Sequence, residues 1–255
     1  MARTPVPAVQ QELIDRLRQR LAAAAIADAL GRALGAFARA ADRRLDALGL
    51  APPPLDLPPA VRADLRAFFA GTVDPAVVTI RRGHVPGIPH PRAFALPGLI
   101  YLGADPGVVG IGDSAGSGPV RPRATPTLVH ELVHIWQGRF LGPRYVVRAL
   151  GEQIRLGRRA YDWRAALDTT TADSPGGDVH PAQRDALPVE AHAQLVADAY
   201  AARYAPPRQP ALSVRDEHLR AVEDVLTGLR AGDASTLRGA DGLGTDHLVV
   251  VPYLS

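Results

Sequence analysis

The chain has 255 residues, 47% of them apolar, which suits one sizeable domain with an appended helical region or two small domains and is too apolar for global disorder. It has no cysteine, so disulfides, thiolate zinc sites and thiol nucleophiles are excluded. The net charge of +3 is carried by arginines interleaved with acids, as in Arg39-Ala40-Ala41-Asp42-Arg43-Arg44, a pattern of solvated helix faces that gives no reason to expect a nucleic-acid partner.

From Val9 to about Leu48 the apolar residues recur at helical spacing, first Val9, Leu13, Leu17 and Leu21, then Leu30, Leu34, Phe37 and Leu45. Gly31 and Gly35 mark either a break or a close helix crossing. Met1-Ala2-Arg3-Thr4-Pro5 lacks the apolar core of a signal peptide, and no run is expected to reach membrane-spanning length. The expectation is a soluble product made in the cytoplasm, without a membrane partner, for which leaderless export stays open. Ala51 to Pro59 is rich in proline and reads as a stiff linker, dividing the chain into a helical region (1–50), the linker (51–59) and the main domain (60–255). Helices tethered in that way could cover a cleft as an inhibitory segment.

A short helix is predicted from Ala60 to Ala70, stopped by Gly71. Strands are predicted at Ala76–Ile80, Gly98–Gly103 and, more weakly, Val108–Ile111, separated by Pro/Gly-rich loops at Val85–Pro97 and Asp113–Arg123. His84 and His90 lie in or beside the first loop and read as ordinary loop histidines. A helix then opens with Thr125 as cap and Pro126 at its first position, with Gly138 as its expected stop. Further helices are predicted at Pro143–Leu156, Val189–Tyr204 (opened by Pro188) and Ser213–Arg230, with a polar loop at Asp168–Gln183 and a last strand or buried tail at Leu248–Val251.

The chemistry concentrates on the Thr125–Gln137 helix, which carries His130-Glu131-Leu132-Val133-His134. Residues four apart share a helix face, so both imidazoles can reach one ion, and two histidines with a glutamate on an otherwise apolar helix are costly to bury without a cation. A catalytic zinc site needs a third protein ligand. Phe140 and Gln137 stand where a metzincin would place histidine and glycine, which removes that pattern. Glu190, one residue inside the helix begun by Pro188, is the preferred third ligand, and small Ala193 one turn on allows close helix packing. His192 is the second choice, pointing about 200° away from Glu190 around a helix. Asp185, His180 and Glu152 are further rivals.

His130-Glu131-Leu132-Val133-His134-Ile135-Trp136-Gln137 resembles the H-E-L-x-H-x-W-Q signature of bacterial zincin-like metallopeptidase domains that accompany Vgr-type and phage-tail-like secretion systems and are related to the domain of unknown function DUF4157. Glu190-Ala191-His192-Ala193, running on to Asp198-Ala199-Tyr200, is similar to that group's second segment, and Gly98–Gly103 to the strand before its metal helix. The resemblance spans about Val77 to Tyr204. It implies an α+β, zincin-like fold, in which a small mixed sheet packs on the H-E-x-x-H helix and a second ligand helix, and a zinc-dependent peptidase. A protein or peptide substrate is expected, with secretion or tail-particle components as partners; the alternative is a non-proteolytic zinc-holding module of such a particle. Glu131 is the expected general base and zinc (Zn2+) the expected cofactor. The Leu99–Leu102 strand is expected to run along the cleft and pair with extended peptide. Tyr145, Tyr161 and Tyr200 are candidate oxyanion stabilisers, Asp198 a candidate to orient a ligand histidine, and Trp136 and Gln137 braces for the helix.

Overall fold

Ala8–Ala47 form one unbroken helix, α1. The structure, a computed structural model, describes residues 8–86, 92–111, 121–172, 187–204, 216–235 and 237. Gly31 and Gly35 do not break α1; they are the points where it crosses the body. A Cβ on Gly31 would stand 2.0 Å from the Pro143 carbonyl oxygen, and one on Gly35 3.1 Å from the Pro97 ring. Polar contacts complete the docking. Asp28 accepts from the Arg144 amide at 3.1 Å and Arg39 donates to the Pro97 carbonyl at 2.8 Å. Asp42 and Asp46 take the Arg81 guanidinium between them, and the Tyr101 hydroxyl donates to Asp42 at 2.7 Å. Leu21–Ala47 nonetheless is long enough, and contains an 18-residue window apolar enough (mean hydropathy 1.5), to cross a membrane by length and composition, which corrects the sequence expectation that no run approaches this. The alanines that dominate the segment supply that hydropathy.

Helix α2 (Pro59–Phe68) buries Val61, Leu65 and Phe68 at helical spacing and ends where Ala70 and Gly71 turn to positive φ. The strand expected from Ala76 is mostly a single turn of 3-10 helix, Pro75–Val77, because the Asp74 side chain accepts from the Ala76 amide and caps it. Strand β1 is only Thr79–Arg81. Phe94–Leu96 (β2) and Leu99–Tyr101 (β3) follow, then Val108–Ile111 (β4) and Arg121–Ala124 (β5). β3 lies central in a mixed sheet of order β1-β3-β2, parallel to β1 and antiparallel to β2, while β4 and β5 form a separate antiparallel pair. The proline-rich stretch is bonded along β1: the Leu55 amide donates to the Ile80 carbonyl, the Arg82 amide to the Pro53 carbonyl, and Leu55 and Leu57 are buried.

Five more helices complete the described fold: α3 (Pro126–Phe140), α4 (Tyr145–Leu156), α5 (Trp163–Ala172), α6 (Val189–Ala202) and α7 (Asp216–Ala231). The architecture is α+β. α3 starts as the sequence predicts, with the Thr125 hydroxyl accepting from the Leu128 amide. It does not stop at Gly138. A Cβ there would stand 2.9 Å from the Tyr145 ring, so this glycine serves packing, and the helix runs on to a cap at Leu141. α5 occupies part of the expected polar loop. α3 packs most extensively against α6 and also against β2, and the Trp136 indole donates to the Leu229 carbonyl, tying α3 to α7. The Leu248–Val251 segment lies outside the described residues.

Candidate metal centre

The α3–α6 packing brings three candidate ligand side chains together. His130 and His134 share one face of α3, and Glu190 enters from the first turn of α6. Glu190 Oε2 lies 3.2 Å from His130 Nε2 and 3.5 Å from His134 Nε2, and one ligand atom from each residue falls within 4.8 Å of the others. All three residues are buried, Glu190 to 1% exposure. They stand at the floor of a cleft of about 740 Å³, walled on one side by β2 and on the other by α4 and the Gly157–Tyr161 turn, and Glu131 opens on the same cleft.

Surrounding hydrogen bonds fix this arrangement. The Gln137 amide donates to the Val189 carbonyl at 2.9 Å, and its oxygen accepts from His134 Nδ1 at 2.7 Å, which places a proton on Nδ1 and turns His134 Nε2 toward Glu190. Gln153 donates to Glu190 Oε1 at 2.8 Å, so the second carboxylate oxygen is held as well. Glu152 accepts from the Val189 and Glu190 amides, both at 3.0 Å, and thereby satisfies the free N-terminal donors of α6. Gln153 carries no sequence signal of its role, and the capping by Glu152 could be read only once α4 is placed beside α6.

The other sequence candidates divide. Glu152 is the α6 anchor just described. His192 is fully buried behind the site, stacked on Trp136 at 5.6 Å with Nδ1 3.3 Å from the Gln137 amide, and is not in the ligand cluster. His90, His180 and Asp185 lie outside the described residues. Tyr161 lines the cleft with its ring 5.7 Å from that of His130 and the Arg92 guanidinium 5.3 Å over its face. Tyr145 also lines the cleft, and its hydroxyl donates to the Ala95 carbonyl on β2 at 3.3 Å. The Tyr200 hydroxyl is bonded to Asp64, on α2. Asp198 accepts from Trp163 and Gln194 and pairs with Arg164, so the orienting partner of a ligand histidine is Gln137. The strand that runs along the cleft is β2; of the Leu99–Leu102 segment expected there only Leu102 lines the cleft, because β3 is enclosed by β1 and β2 and β2 holds the edge. α1 lines no part of the cleft, so the expected inhibitory cover is not formed.

Burial and mutual charge perturb the whole group. Burial alone would push the His134 imidazole down, but the Glu190 carboxylate against it raises it to about 9. Burial alone would raise Glu190; the His134 charge and hydrogen bonds from both imidazoles hold it far below the usual carboxylate range. Burial lowers His130, and lowers His192 to about 3, which keeps His192 neutral. Burial also pushes Glu131 up to about 8, and its Oε2 is buried without a hydrogen-bond partner.

No family model matches the chain, and neither does any curated protein or solved structure. The donor set has its own chemical meaning. Two imidazoles and one carboxylate converging in a low-dielectric floor are the nitrogen and oxygen ligands preferred by a divalent transition metal such as zinc. The orphaned oxygen of Glu131 and the acid held between two imidazoles fit a site that takes up a cation.

Proposed function

We propose that the chain is a zincin-like, zinc-dependent metallopeptidase in which His130, His134 and Glu190 hold the ion and Glu131 is the general base. The observation that carries this reading is the opening of Glu131 onto the same cleft as the ligand triad; a purely structural metal site has no use for a fourth, unligated carboxylate at its mouth. The likeness of 130–137 and 190–200 to the secretion-associated zincin group supports it.

A bound zinc ion would supply Lewis acidity to a substrate carbonyl and lower the pKa of water at the site. The remaining work falls to the chain. Glu131 takes a proton from the attacking water as its oxygen bonds to the carbonyl carbon, then passes that proton to the leaving nitrogen as the C–N bond breaks. Tyr161 is the best placed of the three tyrosines to donate to the developing oxyanion, since the hydroxyls of Tyr145 and Tyr200 are committed to Ala95 and Asp64. β2 presents its edge to the cleft, where an extended peptide can pair with it.

The test begins with metal content measured by mass spectrometry. Wild type and His192→Phe are expected to hold about one zinc per chain, and Glu190→Ala and His134→Ala to lose it. Glu131→Gln is expected to keep the metal and lose peptide cleavage by at least about 100-fold. A wild type that takes up no metal would sink the proposal. Full metal with no cleavage of any peptide library by wild type would leave the alternative, a zinc-holding module of a secretion or tail-like particle.

A further inference from the structure

The outward face of α1 carries a pattern that the proposed catalytic function does not use. Ile26, Leu30 and Phe37 expose 62%, 51% and 74% of their surface. With Ala23, Ala33 and Ala40, also exposed, they recur at alternating intervals of three and four residues, the spacing of an a/d seam between paired helices. The body sits on the opposite side: Asp28, Gly35 and Asp42, which meet it, occupy the f positions of the same heptads. From 22 to 41 the e and g positions are only alanine and Leu34, so nothing bulky or charged keeps a second helix at a distance.

We propose that this face pairs with α1 of a second copy of the chain, antiparallel, to form a two-fold dimer. The sequence is self-complementary in that orientation. With the axis between Leu30 and Ala33, Leu30 of one protomer meets Ala33 of its partner, Ile26 meets Phe37, and Ala23 meets Ala40. Leu30 faces the small Ala33 and Phe37 faces the slimmer Ile26, so no ring meets a ring, and Ala23 and Ala40 bring the two backbones close. Parallel pairing would set Phe37 against Phe37 and Ala33 against Ala33, a clash beside a void. The antiparallel seam ends where Arg44 meets Gln19, both polar and both exposed. The exposed apolar surface is on the order of 500 Å² per copy, in the range of the largest patch on a monomer, which is often functional. Two copies would bury about 1,000 Å², the lower bound of a specific interface. Because the bodies lie on the far sides of the two helices, they do not obstruct the pairing.

A lipid surface fits less well. α1 cannot span a bilayer while docked, because Asp28, Arg39, Asp42 and Asp46 are engaged with the body. The borders of the seam are alanine, where a helix lying on anionic lipid would carry basic residues.

The full-length protein is expected to run at twice its 27.0 kDa chain mass in light scattering at tens of micromolar, and Ile26→Arg with Phe37→Arg to return it to the monomer mass with an unchanged circular dichroism spectrum and a melting temperature that no longer rises with concentration. The absence of native cysteine permits a geometric check. Oxidised mixtures of Ala23→Cys and Ala40→Cys proteins should cross-link, whereas each alone should not. A wild type monomeric at several hundred micromolar would overturn the proposal. So would a dimer that survives the double arginine variant, cross-linking of Ala23→Cys with itself, or a monomer that floats with phosphatidylcholine–phosphatidylglycerol vesicles.

Discussion

Val189 offers Gln137 a carbonyl oxygen, which can only accept, so the Gln137 amide nitrogen must face it and the amide oxygen must face His134. One backbone carbonyl on α6 thereby fixes a proton on Nδ1 of a candidate ligand on α3, and it belongs to the residue before Glu190. Gln137→Leu keeps the volume and removes the hydrogen bonds to Val189, His134 and His192. It is expected to leave the fold intact and weaken zinc binding about 10- to 100-fold, as loss of a partner behind a metal-bound histidine does. Competition against a chromophoric chelator measures this, and an unchanged affinity would remove Gln137 from the ligand-orienting network. Much of the site at this scale was legible. His130 and His134 declare themselves by spacing, and Glu190 by its place just inside a proline-opened helix. Asp198 misled, because helical phase says which residues share a face but not which neighbour that face meets; its partners turned out to be Trp163 and Gln194. Gln153 holds Glu190 from a third helix, a relation that no spacing within one element encodes.

Among the elements, the long helices and strands β3 and β4 were readable, and strands β2 and β5 were not. Three consecutive apolar residues, Phe94-Ala95-Leu96, make an edge strand in proline-rich surroundings, and Arg121-Pro122-Arg123-Ala124 contains a proline that an edge position tolerates. Neither offers enough alternation to declare a period. Glycine misled for a different reason: Gly138 has the look of a helix stop, but its role is set by the Tyr145 ring across the α3–α4 corner. Gly138→Ala separates these roles. An alanine in an exposed helix interior would gain about 1 kcal/mol over glycine. Here the new methyl meets a fully buried ring at 2.9 Å, and overpacking of that kind costs about 1–3 kcal/mol. The expected outcome is a lower melting temperature in a thermal scan. A rise would mean that the corner relaxes freely.

Across the whole molecule, α1 is a strut whose contacts include both walls of the cleft, at Pro97 beside β2 and at Pro143 and Arg144 before α4. Its strongest tie is the buried pair of Asp42 and Arg81, with Tyr101 as a third member. Deleting residues 1–47 would strand a guanidinium that is only 6% exposed. Because α1 covers none of the cleft, the truncated protein is expected to lose stability and gain no peptidase activity; a gain would revive the inhibitory role. The pair also sets a pH dependence. Burial alone would raise the Asp42 carboxyl, but the hydrogen bonds from Arg81 and Tyr101 more than offset it and hold it below its ordinary value. A depressed folded value means that the carboxylate's contribution is complete above the unfolded carboxyl's titration near about 3.9. It is lost as pH falls from there through the folded value. Asp42→Asn removes the charge and leaves Asp46, at the exposed end, as the remaining anion for Arg81. Breaking one side of a buried pair costs about 3 kcal/mol or more. Urea denaturation should therefore place the variant below wild type by a constant margin between pH 5 and pH 8. That margin should narrow only below about pH 4, where the wild-type carboxyl takes up a proton on unfolding. A margin that did not change down to pH 2 would mean that the loss comes from packing and not from the charge.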